Sequence, residues 1–175
     1  MKKLRGAFIG FGNIAQFGHW PSYVKSSDTE IVAVVDPSAS RQDAARTLKP
    51  ELHVYDSVEE LFGAENLDFV DICTPPSSHA GLAIKALEKG YHVLCEKPLT
   101  LKLADYEDLS KAIVASEKTV FTVHNWKFAP IFQKAFSLGS AADPTLRPVI
   151  DTDTLSGKTR RNSSLATRES CSRTS

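Results

Sequence analysis

The chain has 175 residues, enough for one domain or one domain with an appendage, and its 42% hydrophobic share suffices for a packed core. Lys plus Arg balance Asp plus Glu at 21 each, so the zero net charge offers no basic surface from which to argue for nucleic acid or an anionic membrane. Cys73, Cys95 and Cys171 have no C-x-x-C spacing, so neither a disulfide framework nor a zinc motif is indicated and no metal is expected.

Lys2, Lys3 and Arg5 precede an apolar stretch too short and too interrupted by glycine for a signal peptide, and no apolar run approaches a membrane span. A cytoplasmic location is the expectation. Residues 4–9 form an apolar run too short for a buried helix, and they pass into Gly10-x-Gly12-x-x-Ala15 and then a helix-compatible segment. Strand, glycine-rich turn and helix in that order are the context a dinucleotide fingerprint requires. Gly10 lets the chain turn off the strand, Gly12 lets the backbone approach a pyrophosphate, and Ala15 lets the helix pack close to the sheet. The helix start at Asn13 and Ile14 aims free N–H groups and a positive dipole end at phosphates. Alone, the same residues also read as an ordinary glycine-rich turn.

Residues 30–36 add weight: they read as a second buried strand ending in Asp36, 21 positions after Ala15, where a ribose-binding carboxylate belongs. A carboxylate there accepts the ribose hydroxyls and repels a 2′-phosphate, which favours NAD(H). Arg41 lies near enough in sequence to meet a 2′-phosphate, which keeps NADP(H) open.

The helix expected over residues 13–25 breaks or restarts at Pro21. A helix over residues 37–46 has Ser38 or Ser40 as its N-cap. Residues 53–55 are a short strand, and Ser57-x-x-Glu60 is a capping box opening a short helix that ends at Gly63. Residues 69–73 form a fourth strand, stopped by Thr74-Pro75-Pro76 and followed by a helix over 78–89 that Gly90 closes. A fifth strand over 91–95 runs into Glu96-Lys97-Pro98. After Thr100 a long helix carries Leu103, Tyr106, Leu109, Ile113 and Val114 on roughly one face, and residues 119–123 form a sixth strand. This alternation predicts an α/β fold, a Rossmann-type doubly wound parallel sheet of about six strands. Gly12, Asp36, Pro75, His79 and Lys97 all follow strands and should converge on the carboxyl edge. Residues 1–138 are expected to form this domain. Residues 139–175, rich in Ser and Thr and poor in apolar side chains, are expected to be a disordered or poorly packed tail.

These residues resemble the glucose-fructose oxidoreductase, inositol dehydrogenase and rhizopine-catabolism family, Gfo/Idh/MocA. The likeness rests on Gly10-Phe11-Gly12-Asn13-Ile14-Ala15, Thr74-Pro75-Pro76-Ser77-Ser78-His79 and above all Cys95-Glu96-Lys97-Pro98-Leu99. His124-Asn125-Trp126-Lys127-Phe128-Ala129-Pro130 is similar to the family's Asn-x-Arg-x-x-Pro segment, with Lys127 in place of arginine. The resemblance covers residues 4–138 and implies an NAD(P)-dependent dehydrogenase or reductase of sugars or polyols. By similarity, Thr74, Pro75 and His79 line the cofactor, and Glu96 and Lys97 sit beside the nicotinamide, with Lys97 holding the reacting hydroxyl. From the residues alone, Lys97 reads as a loop lysine paired with Glu96, His79 as a polar residue in a first helical turn, and His124 as a structural histidine. His124, Asn125 and Lys127 are the weaker substrate candidates.

Family members continue into a second α+β domain with an Asp-x-x-x-His signature, whereas His124 is the last histidine here. The expectation is therefore a cofactor domain truncated or frame-shifted near residue 140 and catalytically incomplete alone, with Phe128, Ile131, Phe132 and Phe136 forming an uncovered apolar surface for association. Two alternatives stay open: one half of a split dehydrogenase, and a nucleotide-binding or docking module without catalysis.

Overall fold

The computed structural model describes residues 2–142; the Ser- and Thr-rich stretch from residue 143, with Cys171 and most of the expected tail, lies outside the described residues. Two compact units divide the chain, the first Met1–His124 and the second beginning at Asn125.

In the first unit, β1 (Leu4–Ile9) leads into a helical run that is π-wound over Ile14–His19 and α-helical as α1 (Trp20–Lys25). Pro21 falls at the start of α1, directly after the π-wound turn, so the expected restart is a change of winding within one helical run. There follow β2 (Thr29–Val35), α2 (Ala39–Leu48), β3 (His53–Tyr55), α3 (Val58–Ala64), β4 (Phe69–Ile72), α4 (His79–Glu88), β5 (His92–Cys95), α5 (Leu103–Ser116) and β6 (Val120–Thr122). All strands are parallel in the order β3-β2-β1-β4-β5-β6. The direction of winding reverses between β1 and β4, which is where such sheets open a crevice for ligand.

Alternation along the strands supplies two cores. One face joins Ala7, Ile9, Val35, Val70, Ile72, Val93 and Cys95 to Leu61 and Phe62 of α3, Ala83, Ala86 and Leu87 of α4 and Leu109 of α5. The other gathers Phe8, Phe11, Ala15, Ile31, Val34 and Ala45. A bulge sets the register of β2: Gly6 pairs with Ile31 but Ala7 with Ala33, so Val32 is an extra residue and Ile31 and Val34 reach the same core. Gly6 is required by its neighbour, since a Cβ there would stand 2.1 Å from Cζ of Phe69.

The local chemistry departs from expectation in three places. In the capping box, Ser57 Oγ accepts the Glu60 N–H at 3.2 Å, but the Glu60 carboxylate accepts from Asp56 rather than Ser57. Ser38 is the N-cap residue of α2 without a side-chain cap bond, and its own N–H is held by Asp36. On α5 only Leu109 is deeply buried, at 1% exposed, while Leu103 and Val114 are 72% and 81% exposed. These two lie three turns apart on one face that points away from the face carrying Leu109.

The second unit opens with a 3₁₀ turn, Asn125–Phe128, and continues as α6 (Pro130–Ala142). The helical backbone thus extends through Gly139 and Ser140, beyond the end of the apolar pattern at Leu138, and two alanines of high helix propensity complete it.

Candidate functional site

The carboxyl ends of β1, β2, β4 and β5 carry most of the residues singled out from sequence. Gly10 leaves β1 with φ of +86°, and a Cβ there would approach Thr74 Cγ2 to 2.8 Å and the Cys73 carbonyl carbon to 3.1 Å. Both the turn and its close approach to the loop after β4 therefore require glycine. At Gly12 a Cβ would meet nothing nearer than Arg41 Cζ at 3.9 Å, so the protein leaves this backbone approachable. Ala15 is fully buried under the helical run, whereas Asn13 and Ile14 are exposed at its start.

Asp36, 1% exposed, fastens this loop to the end of β2. Its Oδ2 accepts the Phe11 N–H at 2.8 Å and its Oδ1 the Ser38 N–H at 2.9 Å. Arg41, about half exposed, contacts the same Oδ2 at 3.4 Å. Its guanidinium thus lies over both Asp36 and Gly12. Gln42 donates to the Asp36 carbonyl at 2.8 Å and ties α2 to the same corner.

After β4, Ser78 donates to Thr74 Oγ1 at 2.7 Å, and Pro75 is exposed. His79 is wholly buried, with Nε2 2.7 Å from the Thr74 carbonyl and Nδ1 2.8 Å from the Pro98 carbonyl. It fastens the loop after β4 to the loop after β5 from beneath, so its ring faces backbone carbonyls. Lys97 is exposed, and its ammonium makes no ion pair among the described residues; its backbone N–H, not its ammonium, bonds Glu96 Oε2 at 3.0 Å. The Lys97–Pro98 peptide is cis. His124 is exposed after β6, while Asn125 and Lys127 belong to the second unit.

Sequence reasoning passed over a polar cluster between these loops. Asp71, fully buried in the middle of β4, accepts from His19 Nδ1 at 2.8 Å, from the Tyr23 hydroxyl at 2.9 Å and from the Cys73 thiol at 3.4 Å. His19 reaches across with Nε2 to Glu96 Oε1 at 3.1 Å. The hydrogen bond His19 donates to Asp71 raises the His19 pKa above its ordinary 6.5 despite partial burial, with help from Glu96. Burial and the negative charge of Asp71 push the Tyr23 and Cys73 groups up, and burial pushes the Cys95 thiol up to about 12. Each stays neutral at ordinary pH. The signal in the sequence was a carboxylate inside an apolar strand, which must have partners to be buried. Nothing in the sequence named His19, 52 positions away, as one of them.

The geometry is that of a phosphate-approachable turn at the reversal of a parallel sheet, flanked by a carboxylate and an exposed lysine. The profile of the Gfo/Idh/MocA oxidoreductase family, NAD-binding Rossmann fold, matches residues 4–124. The chain belongs to this family. Among Gfo/Idh/MocA relatives and similar proteins, D-apiose dehydrogenase of Paraburkholderia graminis is 31% identical over 133 residues, which is 76% of this chain and 35% of that one. Myo-inositol 2-dehydrogenase of Thermotoga maritima is 31% identical over 134 residues, 75% of this chain and 39% of that one. The WlbA dehydrogenase of Chromobacterium violaceum, solved with NADH and UDP-GlcNAcA, has a TM-score of 0.74 at 25% identity and covers 80% of this chain and 40% of its own. The chain therefore spans about two fifths or less of the length of these relatives. The matched segment is the family's NAD-binding part, and its relatives are oxidoreductases of sugars and polyols. No helix among the described residues is long and apolar enough to cross a membrane.

Proposed function

We propose that this chain provides the cofactor half of a sugar or polyol dehydrogenase and binds NAD(H) in preference to NADP(H). The observation that carries the reading is the Gly10–Gly12 turn at the β1/β4 reversal, tied to the end of β2 by Asp36. That arrangement suits a dinucleotide: the backbone at Gly12 is approachable, and a helical run begins just beyond it, an end whose dipole favours a pyrophosphate. Asp36 is the group for the adenosine ribose, and Arg41 above it is the group through which NADP(H) gains whatever affinity it has. Thr74 and Pro75 wall the crevice from the loop after β4, and His79 holds that wall in place.

A bound dinucleotide supplies the hydride acceptor or donor. Lys97 is exposed in the loop after β5, at the same carboxyl edge of the sheet, and is suited to hold a substrate hydroxyl and receive or return its proton. His124, Asn125 and Lys127 are candidates for further substrate contacts. The substrate wall and its exclusion of water come from protein beyond the described residues. That further protein would also cover Ile131 and Phe132, which are 76% and 44% exposed.

Calorimetric titration of the purified chain with NADH and NADPH tests the proposal, with a panel of polyols followed by nicotinamide absorbance on the same sample. Tighter binding of NADH and no turnover by the chain alone is the expected result. No binding of either nucleotide would overturn it.

A further inference from the structure

We propose that His19 is a positioning residue that holds the Glu96 carboxylate against buried Asp71 and couples the charge beside Lys97 to its own proton. The inference rests on the cofactor reading above, which brings the dinucleotide to the β1/β4 reversal, next to the loop that carries Glu96 and Lys97.

Geometry makes His19 the bridge. Its two ring nitrogens face two carboxylates, Asp71 at 2.8 Å and Glu96 at 3.1 Å, and a carboxylate is an acceptor only. Both bonds are made at once by the doubly protonated ring. Its side chain is only 13% exposed and the Asp71 side chain is not exposed at all, so water screens the pair little. Around it, among the described residues, stand the titratable groups of Tyr23 on its own helical run, Cys73 after β4, Cys95 at the end of β5 and Glu96 just after it. The Tyr23 hydroxyl and the Cys73 thiol donate to Asp71, which fixes that carboxylate independently of His19. Glu96 is held by His19 at Oε1 and by the Lys97 N–H at Oε2. Loss of the proton from Nε2, which makes the longer bond to the more exposed carboxylate, therefore releases one arm of Glu96 and leaves Asp71 in place.

A charge consequence follows. Loss of the His19 proton makes the group of Asp71, His19 and Glu96 more negative by one charge. NAD+ has a cationic nicotinamide and NADH a neutral one, so the extra negative charge favours NAD+. The ratio of the NAD+ dissociation constant to that of NADH should fall by about fivefold as pH rises through the His19 titration. The shift of His19 above its ordinary value puts this fall on the alkaline side of 6.5.

The test is calorimetric titration of the full chain with NAD+ and NADH separately from pH 6 to pH 9, on the native chain and on His19→Gln. NMR observation of the His19 ring nitrogens in the nucleotide-free native chain gives its titration without a variant. The expected result is a falling ratio in the native chain, a flat ratio in His19→Gln, and a ring doubly protonated above its ordinary range. Tyr23→Phe removes one donor to Asp71 without touching Glu96, and it should retain the pH slope. A flat native ratio, a slope that survives in His19→Gln, or a ring that titrates at or below 6.5 would overturn the inference. Failure of both nucleotides to bind at any pH would instead overturn the cofactor reading, and the NMR titration would still decide whether His19 bridges the two carboxylates.

Discussion

Asp36 ties down the fold at the very place proposed for the adenosine ribose. Its carboxylate is already the acceptor for two backbone N–H groups, one in the glycine-rich loop and one at the start of α2. Asp36→Ala should therefore lower stability by about 1–3 kcal/mol, because it leaves buried donors unpaired, besides shifting preference toward NADPH. Asp36→Asn keeps an acceptor and separates the two effects. Arg41 is the cleaner probe of specificity, since its half-exposed guanidinium contacts a carboxylate that keeps its two backbone partners without it. Arg41→Ala should weaken NADPH by about tenfold or more and leave NADH within about threefold, read by parallel titrations. Equal losses for both would remove Arg41 from the specificity pocket. His79→Ala should cost about 2–3 kcal/mol and loosen the loops after β4 and β5 together, since it removes the buried ring that bridges the Thr74 and Pro98 carbonyls. Denaturant unfolding measures the first effect, and amide exchange in both loops measures the second.

At the scale of elements, the turn after β1 depends most sharply on a single residue. Gly10→Ala places a Cβ at positive φ and within 2.8 Å of a Thr74 methyl, and should destabilise by about 2 kcal/mol or more while reducing nucleotide affinity. Gly12→Ala meets Arg41 Cζ only at 3.9 Å and should leave stability nearly unchanged while still weakening the nucleotide, a contrast read by pairing thermal melts with titrations. The strands and this turn were legible in the sequence because apolar runs, glycine spacing and strand-ending loops are local signals. The winding over Ile14–His19 was not, because nothing in local composition distinguishes a π-turn from an α-turn. The faces of α5 were misread for a related reason: its apolar residues occupy more than one stripe, and only packing on α4 selects the one that is buried. The loop residues with family motifs stand in short local stretches after strands, whereas the His19–Asp71–Glu96 cluster joins three elements that only the sheet order brings together.

For the first unit as a whole, two polar networks set opposite limits on stability with pH. Near the amino ends of the strands, Glu65 is bonded by His53, by the Tyr55 hydroxyl at 2.9 Å and by Arg5 at 3.1 Å. Burial works against its charge, but these partners outweigh it and hold the carboxyl below its ordinary 4.5. A depressed carboxyl contributes stability above its unfolded value, and that contribution is lost as pH falls through the folded one. The His19 shift has the opposite sense: its contribution is complete below 6.5 and is lost as pH rises through the raised value. Melting temperature should therefore be highest between roughly pH 4.5 and 6.5 and fall on either side. Glu65→Gln should flatten the acid limb, and His19→Gln the alkaline one. A melting temperature that rises from pH 6.5 to 9 would contradict the second assignment.

The strand order also fixes how the sheet can be assembled while the chain is being made. β2 docks on β1 and β3 on β2; β4 then takes the free side of β1, and β5 and β6 follow outward in turn. Every strand emerges to find its template already present at an edge, and none has to insert between two strands that have closed. Synthesis from the amino end can thus build the sheet by successive edge additions, with β1 as the seed. In pulse-labelled exchange on stalled nascent chains, amides of β1 and β2 should be protected before β4 emerges, and those of β6 last.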